Sequence, residues 1–118
     1  MSTSIAVVAT DATTRNRLAT LVPSAGYNIT LCAPDELPTT LPALFVLALP
    51  GIDTPEEQLI ERLRADDATA QIPIVLVSSL PMIALQSVPY ASDWTIAIVE
   101  EPVTSVVLGE TMQFLLNP

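Results

Sequence analysis

A chain of 118 residues, 50% hydrophobic and 14% charged, has the size of one domain and enough apolar material for a core, which excludes a disordered chain. Its 13 acids stand against four arginines, with no lysine and no histidine, for a net charge of −9. That balance repels nucleic acid. It also excludes Ser/His/Asp and Cys/His nucleophiles, Schiff-base and P-loop chemistry and the commonest zinc ligand, so neither enzyme activity nor a cofactor is expected.

Ser4–Ala9 (SIAVVA) is apolar on both faces and rich in β-branched residues, as a central parallel strand is. It is too short for a signal peptide and has no basic residue ahead of it. No apolar run reaches the roughly 18 residues of a membrane span, so a cytoplasmic protein away from membranes is expected. Asp11 is the expected N-cap of a helix over Ala12–Val22, with Leu18, Leu21 and Val22 at helical spacing and Pro23 and Gly26 ending it. Tyr27–Cys32 reads as a second strand. Its Cys32, the single cysteine, excludes an internal disulfide and is expected to be a buried, inert thiol. Pro34–Pro42 carries three prolines in nine residues and holds one helical turn at most.

Leu44–Leu49 is a third buried strand, followed by a Pro50-Gly51 loop. Thr54-Pro55-Glu56-Glu57 is a capping box with proline at the first helical position, opening a helix with Leu59, Ile60 and Leu63 as its apolar stripe. Arg62 and Arg64 sit late in that helix, where they suit its dipole, and Asp66-Asp67 reads as its solvated end. Ile72–Val77 is a fourth strand, and Met82–Val88 a short helix stopped by Pro89. Trp94–Val99 is a fifth strand. Pro102 opens a last helix, Val103–Leu116, with Val106, Val107, Met112 and Leu115 as core or interface positions. Strands alternating with helices mean βαβ units, right-handed crossovers and a parallel sheet covered on both faces, in one domain over residues 1–118.

Several stretches, in order, resemble the receiver domains of two-component response regulators. They are Ile5-Ala6-Val7-Val8 with Arg15 and Leu18, Ala25-Gly26-Tyr27, Leu49-Pro50-Gly51-Ile52-Asp53, the run from Arg62 to Ile74, and Glu101-Pro102 where receivers carry Lys-Pro. The resemblance covers nearly the whole chain. It implies a flavodoxin-like three-layer sandwich with five parallel strands in the order 2-1-3-4-5 and a shortened second helix. It also implies where the family's chemistry would lie. The acids that hold magnesium correspond to Ala9 and Thr10. The phosphoacceptor corresponds to Ala48, or to Val46 without a gap. The hydroxyl that reads the phosphate corresponds to Ser78, the lysine to Glu101 and the switch aromatic to Ile98. Only Ser78 keeps the family's residue type. A carboxylate at Glu101 about 4 Å from a phosphoryl oxygen would cost on the order of 4 kcal/mol, with no lysine or metal beside it to offset this.

The expectation is therefore a degenerate pseudo-receiver that cannot be phosphorylated and acts through a protein partner: a signalling kinase, an output domain or a second copy. The face made by Met82, Ile83, Trp94, Val103, Val106 and Val107 is the expected contact surface and a route to a homodimer. One alternative is an active receiver with its phosphoacceptor moved to Asp53 or Asp11, where a shifted cation site would use Asp11, Asp53 and Glu101. Against it, Asp11 reads as a cap, Asp53 as a turn residue and Glu101 as facing solvent. A further alternative is a small-ligand sensor using a cleft emptied by Ala9 and Ala48. Ser78-Ser79 has no base beside it, the side chains of Glu100 and Glu101 point apart in a strand, and Gly26, Gly51 and Gly109 are isolated, so none of these carries chemistry. Trp94 reads equally as an interface anchor or as packing at a strand start.

Overall fold

Continuous apolar runs can be strands only if both faces are covered, and the chain supplies that cover. In the computed structural model, which describes residues 3–22, 26–51, 53–85, 88, 90, 93 and 95–116, five strands form one parallel sheet. They are β1 (Thr3–Val8), β2 (Tyr27–Cys32), β3 (Leu44–Leu49), β4 (Ile74–Ser78) and β5 (Ile96–Glu100), ordered β2-β1-β3-β4-β5 as expected. Every residue of β3 and β4 is buried.

Side-chain alternation divides the core into two layers. Ile5, Val7, Leu44, Val46, Val75 and Val77 face α1 (Ala12–Leu21) and α3 (Ser105–Leu116), which contribute Leu18, Leu108 and Met112. Ala6, Val8, Phe45, Leu47, Ile74 and Leu76 face α2 (Pro55–Ala65), which contributes Leu59, Ile60 and Leu63. The second layer is completed by Leu85, from a 3₁₀ turn at Met82–Leu85, and by Tyr90.

Several boundaries differ from the sequence expectation. The turn at Met82–Leu85 stands where a helix reaching Val88 was expected; Gln86, Ser87 and Pro89 lie outside the described residues. The second helix is reduced to a single turn closed by Glu36 N–H on Ala33 O at 3.0 Å, since prolines cannot donate to a helical ladder. Pro102 does not open α3. The helix starts at Ser105, after Thr104, whose hydroxyl accepts from Val107 N–H at 3.2 Å as a cap does. β1 runs Thr3–Val8 rather than from Ser4 to Ala9, and β4 and β5 start two residues later than expected and end one later. Pro23, Ala25, Ile52 and Trp94 lie outside the described residues. α1 ends at Leu21, with Val22 N–H on Leu18 O at 3.3 Å.

Candidate functional site

In a parallel sheet with helices on both faces, every strand delivers its last residue to the same edge, and the following loops wall a crevice there. Ala9 N–H on Cys32 O (3.3 Å), Ser79 N–H on Leu49 O (3.0 Å) and Glu101 N–H on Ser78 O (2.8 Å) carry the ladders just past the strands and bring those loops together. The cavity they enclose measures about 520 Å³. Ala48 and Val77 line it from the sheet, Thr10, Asp11, Thr14 and Arg17 from the α1 side, Thr54 and Glu56 from α2, and Ser79 and Glu101 from the loops after β4 and β5.

The expected site residues distribute unevenly around this space. Thr10, Ala48 and Glu101 line it. Ala9 is buried in the layer beneath α1 and α3. Of the two phosphoacceptor alignments, Ala48 reaches the cavity, while Val46 is fully enclosed in the core. Ser78 is buried and its hydroxyl is spent locally, donating to Leu80 O and accepting from Leu80 N–H, both at 2.9 Å. The neighbouring Ser79 is the residue that lines the cavity. Ile98 is half-buried against the α2 layer.

Glu101 does not face solvent alone. Its Oε1 accepts from the Arg17 guanidinium at 2.7 Å, an ion pair between α1 and the loop after β5. This corrects the expectation that nothing beside Glu101 offsets its charge: a cation is present, supplied by a helix rather than by the strand-end position. The Glu101–Pro102 peptide bond is cis.

Asp11 is the N-cap of α1, as expected. Its Oδ2 accepts from the Thr14 hydroxyl at 2.9 Å and the Thr14 amide at 3.1 Å, and the Thr14 hydroxyl chiefly holds this carboxyl below its ordinary value. Asp53 is an exposed turn residue at φ 60°, in the left-handed region that Asp tolerates, and it does not line the cavity. The shifted cation site of Asp11, Asp53 and Glu101 is therefore not assembled. Among the described residues, no group of three or more His, Cys, Asp or Glu side chains is placed to hold a metal ion. Magnesium, which the receiver resemblance implies, does not fit the residues at this edge: it requires several oxygen ligands in near-octahedral geometry.

Two charged cavity residues escaped the sequence reading. Arg17 carries no motif. Glu56 had a signal: it heads the stripe Glu56, Leu59, Ile60 and Leu63, which is the buried face of α2. Its side chain is only 3% exposed, and its Oε2 accepts from Thr10 N–H at 3.3 Å. The capping box is also shifted. Thr54 accepts from Glu57 N–H at 3.2 Å as expected, but Glu57 reaches back one residue further, accepting from Asp53 N–H at 2.9 Å. Its other oxygen accepts from the Tyr90 hydroxyl at 2.7 Å, and burial with this carboxylate pushes the phenol well above its ordinary value. Cys32 is buried as expected, with burial raising its thiol pKa.

Of the expected contact face, Ile83, Val106 and Val107 are exposed, while Val103 is half-buried against the core. Ile83 lies in the 3₁₀ turn after β4, Val103 in the loop after β5, and Val106 and Val107 in the first turn of α3. Trp94 and the side chain of Met82 lie outside the described residues.

Solved structures similar to this chain include response-regulator receiver domains. A response regulator protein from Burkholderia multivorans is 26% identical, matching 100% of this chain and 98% of its own with a TM-score of 0.71. The chain has the response-regulator receiver fold. The signal receiver domain of a signal transduction histidine kinase from Syntrophus aciditrophicus is similar at 21% identity, 98% and 90% coverage and a TM-score of 0.77. The receiver domain of a sensor histidine kinase from Pseudomonas aeruginosa PAO1, with a magnesium ion coordinated in its active-site cleft, is similar at 14% identity over 100% of both chains, with a TM-score of 0.76. No protein-family model matches the sequence, and no curated protein matches it. Among the described residues, no helix of this receiver fold is long and apolar enough to cross a membrane.

Proposed function

We infer that the chain is a pseudo-receiver: a cytoplasmic signalling module that takes no phosphoryl group, is not an enzyme and acts by contact with a protein partner. The observation that carries this reading is Ala48, a side chain without a nucleophile at the sheet position lining the crevice. Phosphoryl transfer depends on a positioned acceptor and on cations that stabilise the developing charge. Ala9 and Thr10 offer no carboxylate for a cation, and the Arg17 guanidinium is already engaged by Glu101. The receiver domain of the sensor histidine kinase from Pseudomonas aeruginosa holds magnesium in its cleft; the residues of this chain support no equivalent. Signalling would instead run through the apolar rim around β5, to a kinase, an output domain or a second copy.

Incubation with acetyl phosphate and magnesium, followed by intact-mass measurement, tests the reading. The expected spectrum is unchanged protein. An adduct of phosphate mass on Asp11 or Asp53 would instead establish an active receiver with a relocated acceptor.

A further inference from the structure

A strand at the rim of a sheet leaves half of its backbone N–H and C=O groups without a ladder, and folds usually guard it with charge or proline. β2 is such a rim strand, and Tyr27–Cys32 contains neither guard. No charged residue stands between Leu18 and Pro34. The ladder with β1 fixes which groups point outward. Gly26 O accepts from Thr3 N–H at 2.9 Å and Cys32 O from Ala9 N–H at 3.3 Å, so the even-numbered residues turn to β1. Tyr27, Ile29 and Leu31 therefore turn both N–H and C=O away from the sheet. Among the described residues, no backbone hydrogen bond reaches those outward groups.

We propose that β2 pairs antiparallel with β2 of a second copy of this chain, about a two-fold axis at Ile29, joining the two sheets into one. In this register Ile29 faces Ile29 of the second copy and Tyr27 faces its Leu31, so all three outward residues form hydrogen-bonded pairs. A shift of two residues either way leaves Leu31 facing Ala25 or Tyr27 facing Ala33, both beyond the strand. The side chains agree with this register. Tyr27 and Ile29 lean on the core layer of α1 and α3, and Leu31, on the same face, is 44% exposed. Pairing sets these apolar residues against one another, while on the other face exposed Asn28 meets exposed Thr30, polar against polar. Charge selects the occupant. Copies that each carry −9 repel, and β2 with its flanks lets them meet along an uncharged span. The other rim strand, β5, ends in Glu100 and Glu101 and would bring acids into such a pairing. This goes beyond the signalling reading and does not need it: a phosphate adduct would overturn that reading alone.

The test follows the full chain from micromolar to millimolar concentration by sedimentation and by amide deuterium exchange. The mass should rise from one copy towards two, and the Tyr27, Ile29 and Leu31 amides should exchange more slowly as it does. Leu31→Pro removes an outward donor that the β1 ladder does not use, so the fold should persist. It deletes two hydrogen bonds across the axis and should weaken pairing by roughly tenfold or more. Leu31→Lys, which keeps every backbone group and adds an edge charge, should weaken pairing in the same direction and stands in if the proline variant does not fold. The exchange at β2 separates this pairing from any association through α3. A single copy at every concentration, β2 amides whose exchange ignores concentration, or undiminished pairing in a folded Leu31 variant would overturn the proposal.

Discussion

Arg64 shows how much one side chain can hold. Its Nε meets Asp93 Oδ2 at 3.1 Å, NH1 donates to Thr69 O at 3.2 Å and NH2 to the Thr95 hydroxyl at 2.7 Å, tying the end of α2 to the start of β5. Burial works to raise the pKa of Asp93, but the Thr95 hydroxyl and amide, with Arg64, outweigh it and hold the carboxyl below its ordinary value. A lowered folded-state pKa means that this stabilisation is complete above the unfolded value near 3.8 and is lost as pH falls through the lower folded value. Thermal melts should therefore show Asp93→Ala costing roughly 1–3 kcal/mol at neutral pH, with the gap to the parent protein narrowing below about pH 4. The Arg17–Glu101 pair is a contrasting case. The Arg17 side chain is 46% exposed, so Glu101→Gln should shift stability by no more than about 1 kcal/mol, read by denaturant titration.

At the scale of elements, α3 separates packing from display. Leu108 and Met112 are fully buried, whereas Val106, Val107 and Phe114 are exposed on the same helix. Leu108→Ala should cost roughly 2–5 kcal/mol by leaving a cavity. Val106→Glu should leave stability nearly unchanged; light scattering then checks whether the rim joins copies, the expected result being a lower mass for the variant at high concentration. The same contrast shows what was legible beforehand. β2 and β3 were readable to the residue, β3 because a continuous apolar run stopped by Pro50 has few alternatives and β2 because its β-prone residues stand between Gly26 and Pro34, and Asp11 and Thr54 were readable as caps because capping is local. The region between β4 and β5 was not. Met82–Val88 has helical spacing, but among the described residues the packing on the sheet there comes from Leu85 of the turn, with Leu80, Val88 and Tyr90. The Arg17–Glu101 contact joins residues 84 positions apart, and no local pattern announces such a pair.

Over the whole molecule, the charge of −9 is spread on a single sheet-and-helix body with only four cations to balance it. Self-repulsion of that surface opposes compaction, so added sodium chloride should raise the melting temperature, most steeply below about 0.15 M, where screening lengths exceed about 8 Å. A fall or no change would mean that the ion pairs dominate the salt response.

The position of β3 has a consequence for how the molecule opens. It lies between β1 and β4, with all six residues shut away from water, whereas β2 and β5 form the rims and have half-open backbones. Amide hydrogens should exchange with deuterium in that order, from the two rims inward, so that the centre strand reports complete unfolding and the rims report only fraying.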